Sequence, residues 1–335
     1  MIAQITDQSL YTSLWEANSL HILQHYNWGE LKKSEGWDIL RFIENEKQVI
    51  EFQVKKLPLL PYRFAYAPKI DPKGFELDLK QWEQVLKESN IALAIFEFKD
   101  TTSSTPFESL SVYNDHIQPQ QSNTIDLTKS EEELWMGMEG NYRRNIKKAE
   151  RQGVTITIHN RGNDAIKDFY SVMEDIFQNT KLLKRDRSYY IKLWDMFSPI
   201  DKATIFLAQK DDKLLGAYLL LSDANGCYEL YGGVTQTGRS LEAGYILKWE
   251  AIKHMRSTSL KYYDHWGVAK LNSDGEYDPQ DELYRISLFK KGFGGENIIF
   301  PPPRVLIVSD NGYKAFRMMN EVKKLGMAFR KLMKA

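Results

Sequence analysis

Two runs of basic residues are the parts of this sequence best suited to holding an anion. The first would form one positive stripe on a helix, because its members recur at helical spacing: Arg143, Arg144, Lys147, Lys148 and Arg151. The second lies near the C-terminus: Lys314, Arg317, Lys323, Lys324, Arg330, Lys331 and Lys334. Phosphate backbones and anionic lipid surfaces attract such patches, whereas a solvated helix face is the plainer interpretation of each. Two runs in one chain favour a polyanionic partner.

A glycine-containing segment, Gly232–Arg239, follows a predicted strand and precedes a predicted helix. Backbone amides at a helix start can hold a phosphate or an oxyanion. The Arg/Gln-x-x-Gly-x-Gly/Ala spacing of an acetyl-CoA loop is missing from it. An ordinary strand-to-helix turn is therefore an equal interpretation.

The chain shows no spacing typical of a Ser-His-Asp, Cys-His or paired-carboxylate site. Cys227 is the only cysteine, which excludes an internal disulfide and a multi-cysteine metal site. His21 and His25 could share a helical face, but no third ligand stands nearby, so no metal site is expected. A reaction catalysed by this chain should use an already activated substrate and electrostatic help rather than a protein nucleophile.

The bulk composition is that of a globular protein with room for two domains. The 335 residues are 42% hydrophobic and 27% charged, with 45 basic and 45 acidic side chains. Any attraction for an anion must therefore come from local patches. The N-terminal residues lack the layout of a signal peptide, and no apolar run is long enough to span a membrane, so a cytoplasmic protein is expected.

Helical and strand-like segments alternate twice along the chain. In the first hundred residues the clearest strand is Ile91–Phe98, whereas Leu57–Tyr66 contains two prolines and is interpreted as irregular or edge structure. A helix is predicted from an N-cap at Thr128, with a capping box to Glu131, to a C′ glycine at Gly153. The second alternation includes three strands at Ala203–Lys210, Leu214–Leu221 and Cys227–Gly232. We therefore expect a mixed α/β chain with two copies of one fold.

Four ordered blocks carry a family resemblance. They are Gln24-x3-Trp28-x3-Lys32, Ile117-Gln118-Pro119 through Gly153-Val154, Tyr231-Gly232-Gly233 through Gly267, and Leu288-Phe289-Lys290-x-Gly292-Phe293-Gly294. In order and spacing, these blocks resemble the FemABX family of aminoacyl-tRNA-dependent transferases, which build peptidoglycan cross-bridges. Each block alone is weak, but the ordered set covers nearly the whole chain.

The resemblance implies two acetyltransferase-like domains of the GNAT type, with the C-terminal strand and helix returning to the first. On this basis residues 1–150 with about 300–335 form the first domain and residues 151–299 the second. The long helical arm of larger family members is expected to be absent, because the predicted strands of residues 203–233 are joined by tight turns.

The resemblance also assigns roles to single residues. Lys32 corresponds to a lysine that contacts the diphosphate of a nucleotide- or lipid-linked muropeptide. Arg185, Tyr189 and Tyr231 correspond to residues that hold the same substrate, and Phe289-Lys290 to the pair at the reacting ester. With tRNA as partner, the stripe Arg143, Arg144, Lys147 and Lys148 becomes the candidate tRNA contact. A family acid expected near the end of Ile91–Phe98 has no evident counterpart, since Phe98 and Lys99 stand there.

The function implied is transfer of an amino acid from aminoacyl-tRNA to the stem-peptide amine of a peptidoglycan precursor. Lys290 would stabilise the tetrahedral oxyanion; a surface lysine beside a glycine turn is its plainer interpretation. Aminoacyl-tRNA would be a co-substrate, with no cofactor or metal. We expect a monomer that contacts the inner face of the plasma membrane peripherally. Two alternatives stay open, a CoA-dependent N-acyltransferase of the GNAT type and a non-catalytic RNA- or membrane-surface-binding protein.

Overall fold

The computed structural model describes residues 1–58, 60–76, 78–99, 106–179 and 185–332, with the backbone alone at 179 and 323–332. The chain divides into two compact units, one formed by Met1–Gln118 with Phe300–Ala335 and the other by Pro119–Ile299. Each unit contains a seven-stranded sheet. Helices and strands are numbered below in chain order.

The first unit begins with three strands and two helices that precede its parallel strand pair. Its elements up to residue 118 are β1 (Ile2–Gln4), α1 (Gln8–Ala17), α2 (Tyr26–Ser34), β2 (Asp38–Glu44), β3 (Gln48–Lys56), β4 (Arg63–Ile70), α3 (Leu79–Glu88), β5 (Ile91–Phe98) and β6 (Ser111–Val112). Strands β4 and β5 are parallel and α3 connects them. The other strands pair in antiparallel fashion.

The second unit has a similar plan. Its elements are β7 (Gln121–Asp126), α4 (Glu131–Gly137), α5 (Gly140–Arg151), β8 (Thr155–His159), α6 (Asn163–Asn179), α7 (Arg187–Phe197), β9 (Ala203–Lys210), β10 (Lys213–Ser222), β11 (Gly226–Val234), α8 (Gln236–Ser240), α9 (Ala243–Ser257), β12 (Tyr262–Gly267), α10 (Tyr284–Lys291) and β13 (Glu296–Ile299). The strand order is β13-β7-β12-β11-β10-β9-β8. Again one pair, β11 and β12, is parallel and bridged by a helix, α9.

The chain then returns to the first unit with β14 (Arg304–Ile307) and α11 (Asp310–Leu332). The strand order there is β1-β2-β3-β4-β5-β14-β6, so β14 lies beside β5. Strand β5 is buried on both faces: Phe96 packs in the same core as Trp82 of α3, while Ile95 packs in the core that includes Phe316 of α11. The predicted mixed α/β fold and the C-terminal return are confirmed.

The structure differs from the predicted boundary between the domains. Residues 119–150 were assigned to the first domain, but β7 pairs with β12 and β13, and Ile146 of α5 packs in the core of the second unit. The second unit therefore begins at Pro119. An apolar helical pattern indicates that a helix is packed, but it does not say which sheet covers it.

Two local predictions were also wrong, and one helix was missed. The helix predicted from Thr128 is two helices, which are separated at Met138 and Glu139. The first of them starts later than predicted, because Asp126 engages Thr128 and the capping box is formed by Ser130 and Glu133 instead. The region around Leu57–Tyr66 leads into β4, a buried strand that begins at Arg63, after both prolines. Helix α10, which carries Lys290, was not predicted at all.

Candidate functional site

The parallel pair in the second unit opens at its C-terminal end. β11 and β12 pair only where Gly226–Tyr228 lie opposite Tyr262–Asp264, although β11 continues to Val234 and β12 to Gly267. Beyond Tyr228 the two strands no longer share a parallel ladder. The carboxyl ends of strands in α/β sheets are a usual place for ligands, so this end is the candidate site.

A β-bulge in β11 directs two neighbouring side chains to opposite faces of the sheet. Tyr231 lies opposite Leu219 of β10, and Glu229 lies opposite Leu220, so the intervening residue of β11 is extra. Because successive residues of β10 point to opposite faces, Glu229 and Tyr231 do so as well. Gly232 follows at φ 152°, where a Cβ atom would lie 2.4 Å from the carbonyl oxygen of Ala217.

On the face toward α9, Glu229 belongs to a buried network with Lys248, Tyr263 and His265, here called the Lys248 network. The ammonium of Lys248 is bonded to the Glu229 carboxylate and donates to Nδ1 of His265 at 3.2 Å. The Tyr263 hydroxyl donates to the same carboxylate at 2.5 Å. Lys248 is 1% exposed and His265 is fully buried. Lys248 and His265 therefore have no direct access to solvent, whereas the Glu229 side chain is 9% exposed.

His265 stays neutral in this network. Burial lowers the pKa of its imidazole well below the usual range, and the nearby Lys248 and Lys290 lower it further. An ammonium has no lone pair, so Nδ1 must accept the bond from Lys248 and the proton lies on Nε2. Among the described residues, Nε2 has no hydrogen-bond partner although it is buried. His265 thus helps to hold Lys248 without adding charge.

Helix α10 brings Lys290 to the end of β12. The helix is tied to the segment after β12 by Ser287, whose Oγ accepts a hydrogen bond from the Ala269 amide at 2.7 Å. At its C-terminal end Gly292 packs directly on the Tyr142 ring, where a Cβ would lie 2.0 Å from Cζ. The glycine of the Phe-Lys-Lys-Gly-Phe-Gly motif is therefore required for this close approach.

The Lys290 ammonium is buried against backbone carbonyls. Its side chain is 8% exposed, and Nζ donates to the carbonyl of Gly267 at 2.7 Å and to that of Trp266 at 3.3 Å. Trp266 has the left-handed φ of 62°, which bends the end of β12. Burial lowers the pKa of Lys290 to about 8, with Glu229 opposing that shift and Lys248 adding to it. The alternative of a surface lysine does not fit this position.

Phe289, the neighbour of Lys290, packs elsewhere. Its ring lies 5.3 Å from that of Tyr245, 5.2 Å from that of Phe293 and 6.0 Å from that of Tyr142. These rings belong to the hydrophobic core between α5, α9 and α10. In this structure Phe289 holds α10 in place while Lys290 reaches the end of β12.

On the opposite face of the sheet, the structure brings three predicted substrate-binding residues together. The hydroxyls of Tyr189 and Tyr231 lie 2.8 Å apart, and the Arg185 guanidinium lies 4.5 Å from the centre of the Tyr189 ring. Tyr190 packs edge-on against Tyr231 at 5.2 Å. An arginine beside paired tyrosine hydroxyls can bind an anionic group by charge and hydrogen bonds. We call Arg185, Tyr189 and Tyr231 the tyrosine–arginine cluster.

The basic stripe on α5 is partly used by the protein itself. The Arg143 guanidinium donates to the carbonyls of Trp135, at 3.3 Å, and Met136, at 3.1 Å, near the end of α4. Lys148 forms an ion pair with Glu242 at 2.9 Å. Arg143 therefore caps α4, and the charge of Lys148 is partly balanced.

Lys147 and Arg144 complete the stripe. Lys147 borders a cavity of about 530 Å³ whose other lining residues are Glu131, Glu132, Trp135, Glu150 and Trp249. Those carboxylates offset the positive charge on that side of α5. Arg144 is exposed on the same helix, so it is the member best placed to meet an external anion.

The first unit contains two further candidate residues. Lys32 on α2 lies 4.4 Å from the centre of the Trp28 ring. Glu97, which the sequence interpretation missed, lies near the end of β5 and is 3% exposed. It accepts hydrogen bonds from the Tyr66 hydroxyl at 2.5 Å and from the Ile117 amide at 2.6 Å. A buried acid thus lies directly before Phe98 and Lys99, where the sequence offered no evident counterpart of the family acid.

Glu97 is a shielded carboxylate rather than an exposed one. The Gln118 amide also donates to it, at 3.1 Å, so both carboxylate oxygens are engaged. Burial raises the pKa of Glu97, and its hydrogen bonds with Tyr66 and the two amides oppose that shift. An acid within an otherwise apolar strand was the sequence signal that pointed to a buried, partnered carboxylate.

The histidines near the N-terminus have structural roles. Nδ1 of His21 accepts the Leu23 amide, and Nδ1 of His25 accepts the Asn27 amide, both at 3.0 Å. Within the described ranges, no group of three or more His, Cys, Asp or Glu side chains is arranged to hold a metal ion. None of the helices in the described part of the chain is long and apolar enough to cross a membrane.

Comparisons with known proteins agree with this fold. A family model for an acetyltransferase (GNAT) domain matches residues 138–277. A lipid II:glycine glycyltransferase of Staphylococcus haemolyticus (strain JCSC1435) is 25% identical in an alignment covering 82% of this chain and 84% of that protein. A crystal structure of FemX superposes with a TM-score of 0.79 over 94% of this chain and 99% of that one, at 17% identity. Together these findings support the resemblance to the FemABX family.

A second solved structure supports the doubled architecture of this protein. A tandem GNAT protein from the clavulanic acid biosynthesis pathway superposes with a TM-score of 0.52 over 92% of this chain and 98% of that one, at 10% identity. The expected lack of a long arm is also seen, since the longest helix between residues 185 and 299 is α9, with 15 residues.

Proposed function

We propose that this protein transfers an amino acid from aminoacyl-tRNA to the stem-peptide amine of a peptidoglycan precursor. The observation that carries the proposal is the buried ammonium of Lys290 at the open end of the β11–β12 pair. The similarity to a lipid II:glycine glycyltransferase supports the reaction class. A buried cation without an adjacent nucleophile suits acyl transfer from an ester that is already activated.

In the proposed reaction, the neutral amine attacks the ester carbonyl carbon and forms a C–N bond. The tetrahedral intermediate carries a negative oxygen, which the Lys290 ammonium stabilises. The intermediate then collapses, the C–O bond to the tRNA ribose breaks, and the ribose oxygen leaves with a proton while the amine loses one. Because the ester supplies the driving force, the reaction needs no cofactor. The protein acts as a monomer in this scheme.

Substrate binding is assigned to two places, one in each unit. The tyrosine–arginine cluster offers a guanidinium and paired hydroxyls, which suit a phosphate-bearing muropeptide. Lys32, whose ammonium lies over the Trp28 ring, is proposed to contact the diphosphate of the same substrate class. The tRNA contact is proposed on α5, chiefly through Arg144, with Arg143, Lys147 and Lys148 contributing less because they have intramolecular neighbours.

The reaction is proposed to take place in the cytoplasm, at the inner face of the plasma membrane, where charged tRNA and lipid-linked precursors meet. Helix α11 would provide the membrane contact through its basic residues, of which Lys314 and Arg317 have described side chains. Lys323, Lys324, Arg330, Lys331 and Lys334 lie outside the described side chains. Co-sedimentation with anionic vesicles should weaken when Lys314 and Arg317 are both changed to Gln. Equal binding by this variant would remove Lys314 and Arg317 from the proposed membrane contact.

A reconstituted transfer assay tests the function directly. Purified protein is mixed with labelled aminoacyl-tRNA, beginning with glycyl-tRNA, and with a lipid-linked or nucleotide-linked muropeptide. Mass spectrometry should show a muropeptide heavier by one amino-acid residue, and free amino acid with uncharged tRNA should give none. Failure with both acceptors and a panel of charged tRNAs would contradict the proposal.

A CoA-dependent N-acyltransferase is the second candidate, favoured by the GNAT match at residues 138–277. The segment after β11 argues against it, because the Gly238 amide is bonded to Thr235 Oγ1 at 3.0 Å and a Cβ on Gly238 would lie 2.0 Å from the Leu215 carbonyl oxygen. That turn is occupied by its own packing. Saturable binding of acetyl-CoA in a calorimetric titration would favour this candidate over aminoacyl transfer.

A further inference from the structure

Two buried lysines are held by one segment of three consecutive residues at the end of β12. Lys248 donates to the ring of His265, while Lys290 donates to the carbonyls of Trp266 and Gly267. Lys248 comes from α9 and Lys290 from α10, so neither helix alone fixes this arrangement. A shift of the segment 265–267 would move both ammonium groups together.

Charged groups from three neighbouring elements surround Lys290. Glu229 comes from β11, Lys248 from α9 and Asp264 from β12, while His265 of β12 is neutral. Asp264 is already engaged by the Ser122 hydroxyl and the Trp266 amide. Glu229 is bonded directly to Lys248 and to Tyr263. Glu229, the carboxylate that most raises the pKa of Lys290, is therefore also bonded to Lys248.

We propose that Lys248, held by Glu229 and His265, is a positioning residue that fixes both the place and the charge of the Lys290 ammonium. Lys248 is 1% exposed, so it acts through Lys290 rather than by touching a substrate. Its positive charge repels the Lys290 proton across a low-dielectric interior, while its bond to Glu229 limits how much that carboxylate can stabilise the proton.

This arrangement fits an oxyanion-stabilising role. Lys248 is bonded directly to the Glu229 carboxylate, whereas the direct bonds of Lys290 to the described residues are to two neutral carbonyls. A negative charge that develops beside Lys290 is then favoured, because no bonded carboxylate neutralises this ammonium among the described residues. This step rests on the proposed function, whereas the effect of Lys248 on Lys290 does not.

The test measures the ionisation of Lys290 itself. Competitive labelling of lysine amines is followed by mass spectrometry over a pH series, which gives an apparent pKa for Lys290 in the folded full chain. Lys248→Met removes the repelling charge and frees Glu229 for Lys290, so the pKa of Lys290 should rise by about one unit. An unchanged or lower pKa would overturn the proposal.

Two further variants separate this effect from damage to the fold. The double variant Lys248→Met with Glu229→Gln removes both charges, so the Lys290 pKa should return toward that of the unaltered protein. Lys253→Met makes the same change on the same helix but at a half-buried ion pair with Glu250, and it should leave the Lys290 pKa unchanged. A rise in the double variant equal to that in Lys248→Met would also contradict the proposal.

The transfer rate supplies a separate readout. If Lys290 stabilises the oxyanion, the loss of activity at high pH should move upward in Lys248→Met together with the labelled pKa. If the labelled pKa moves and the rate profile does not, the positioning inference stands and the role of Lys290 in the proposed function falls. If neither moves, the inference itself is wrong.

Discussion

Each unit of the chain contains a parallel strand pair bridged by a helix, but the two pairs end differently. In the first unit the pairing of β4 with β5 extends from Arg63 opposite Ile91 to Ile70 opposite Phe98, with register shifts after Arg63 and after Ala67. In the second unit the ladder between β11 and β12 stops at Tyr228 opposite Asp264. The end of the β4–β5 pair, the closed end, buries a carboxylate that accepts hydrogen bonds from three donors. The end of the β11–β12 pair, the open end, buries an ammonium that donates to two carbonyls. The same arrangement thus serves packing in one unit and offers a site for chemistry in the other.

Removing the ammonium at the open end should have the largest effect. Lys290→Ala is expected to lower kcat by about 10²–10³-fold with a small change in KM, as loss of an oxyanion donor does elsewhere. Steady-state transfer assays measure this. Lys291→Ala is the matched control, because Lys291 is more exposed and pairs with Glu276. Equal rates for Lys290→Ala and the unaltered protein would show that the open end is not where catalysis occurs.

The buried ammonium should also make the free energy of unfolding depend on pH. The folded-state pKa of Lys290 is about 8 against an ordinary 10.5, so the folded chain binds this proton less tightly than the unfolded chain. Burial of Lys290 therefore costs stability below pH 8, and the cost is relieved as the pH rises from about 8 to 10.5. Lys290→Met removes this cost. The gain in free energy of unfolding of the variant over the unaltered protein should therefore be about 2–3 kcal/mol larger at pH 7 than at pH 10.

Urea unfolding of both proteins at the two pH values gives this difference, and Lys291→Met serves as the control. A difference that does not depend on pH would mean that the ammonium is not desolvated. The open end and the closed end would then no longer differ in how well the charge buried at each is stabilised.

The closed end should respond in stability rather than in rate. Glu97→Gln replaces one acceptor oxygen by a donor facing the Tyr66 hydroxyl or backbone amides, which should cost about 1–3 kcal/mol of unfolding free energy. Because both oxygens are already engaged, kcat should change by no more than a few-fold. The exposed Glu88→Gln is the control. A large loss of kcat with unchanged stability would instead indicate that Glu97 accepts the proton that the attacking amine loses.

Much of the fold followed from local patterns. The strands β9, β10 and β11 were predicted within two residues of their observed bounds, because tight turns separate clear apolar runs. The end of α5 followed from Gly153, which has the left-handed φ of 82°. Pairing between distant segments did not follow, which is why β7 was placed in the wrong domain.

The candidate site was less accessible to local reasoning. Its residues were named through the family resemblance, since Arg185 and Tyr231 are far apart in sequence and meet only through tertiary contacts. The partners of Lys290 were not foreseen, because the bend at Trp266 that turns two carbonyls toward it has no sequence signature. Glu97 was overlooked because its partners lie in three other places, at Tyr66, Ile117 and Gln118.

The bulge in β11 has a consequence for how this strand can vary in length. Its extra residue sends Glu229 toward the Lys248 network and Tyr231 toward the tyrosine–arginine cluster. If the extra residue Leu230 were absent, Glu229 and Tyr231 would be successive residues and would still point to opposite faces by ordinary strand alternation. This part of the strand can therefore shorten by one residue while the carboxylate stays beside the buried lysine and the phenol stays on the face where an anion would bind.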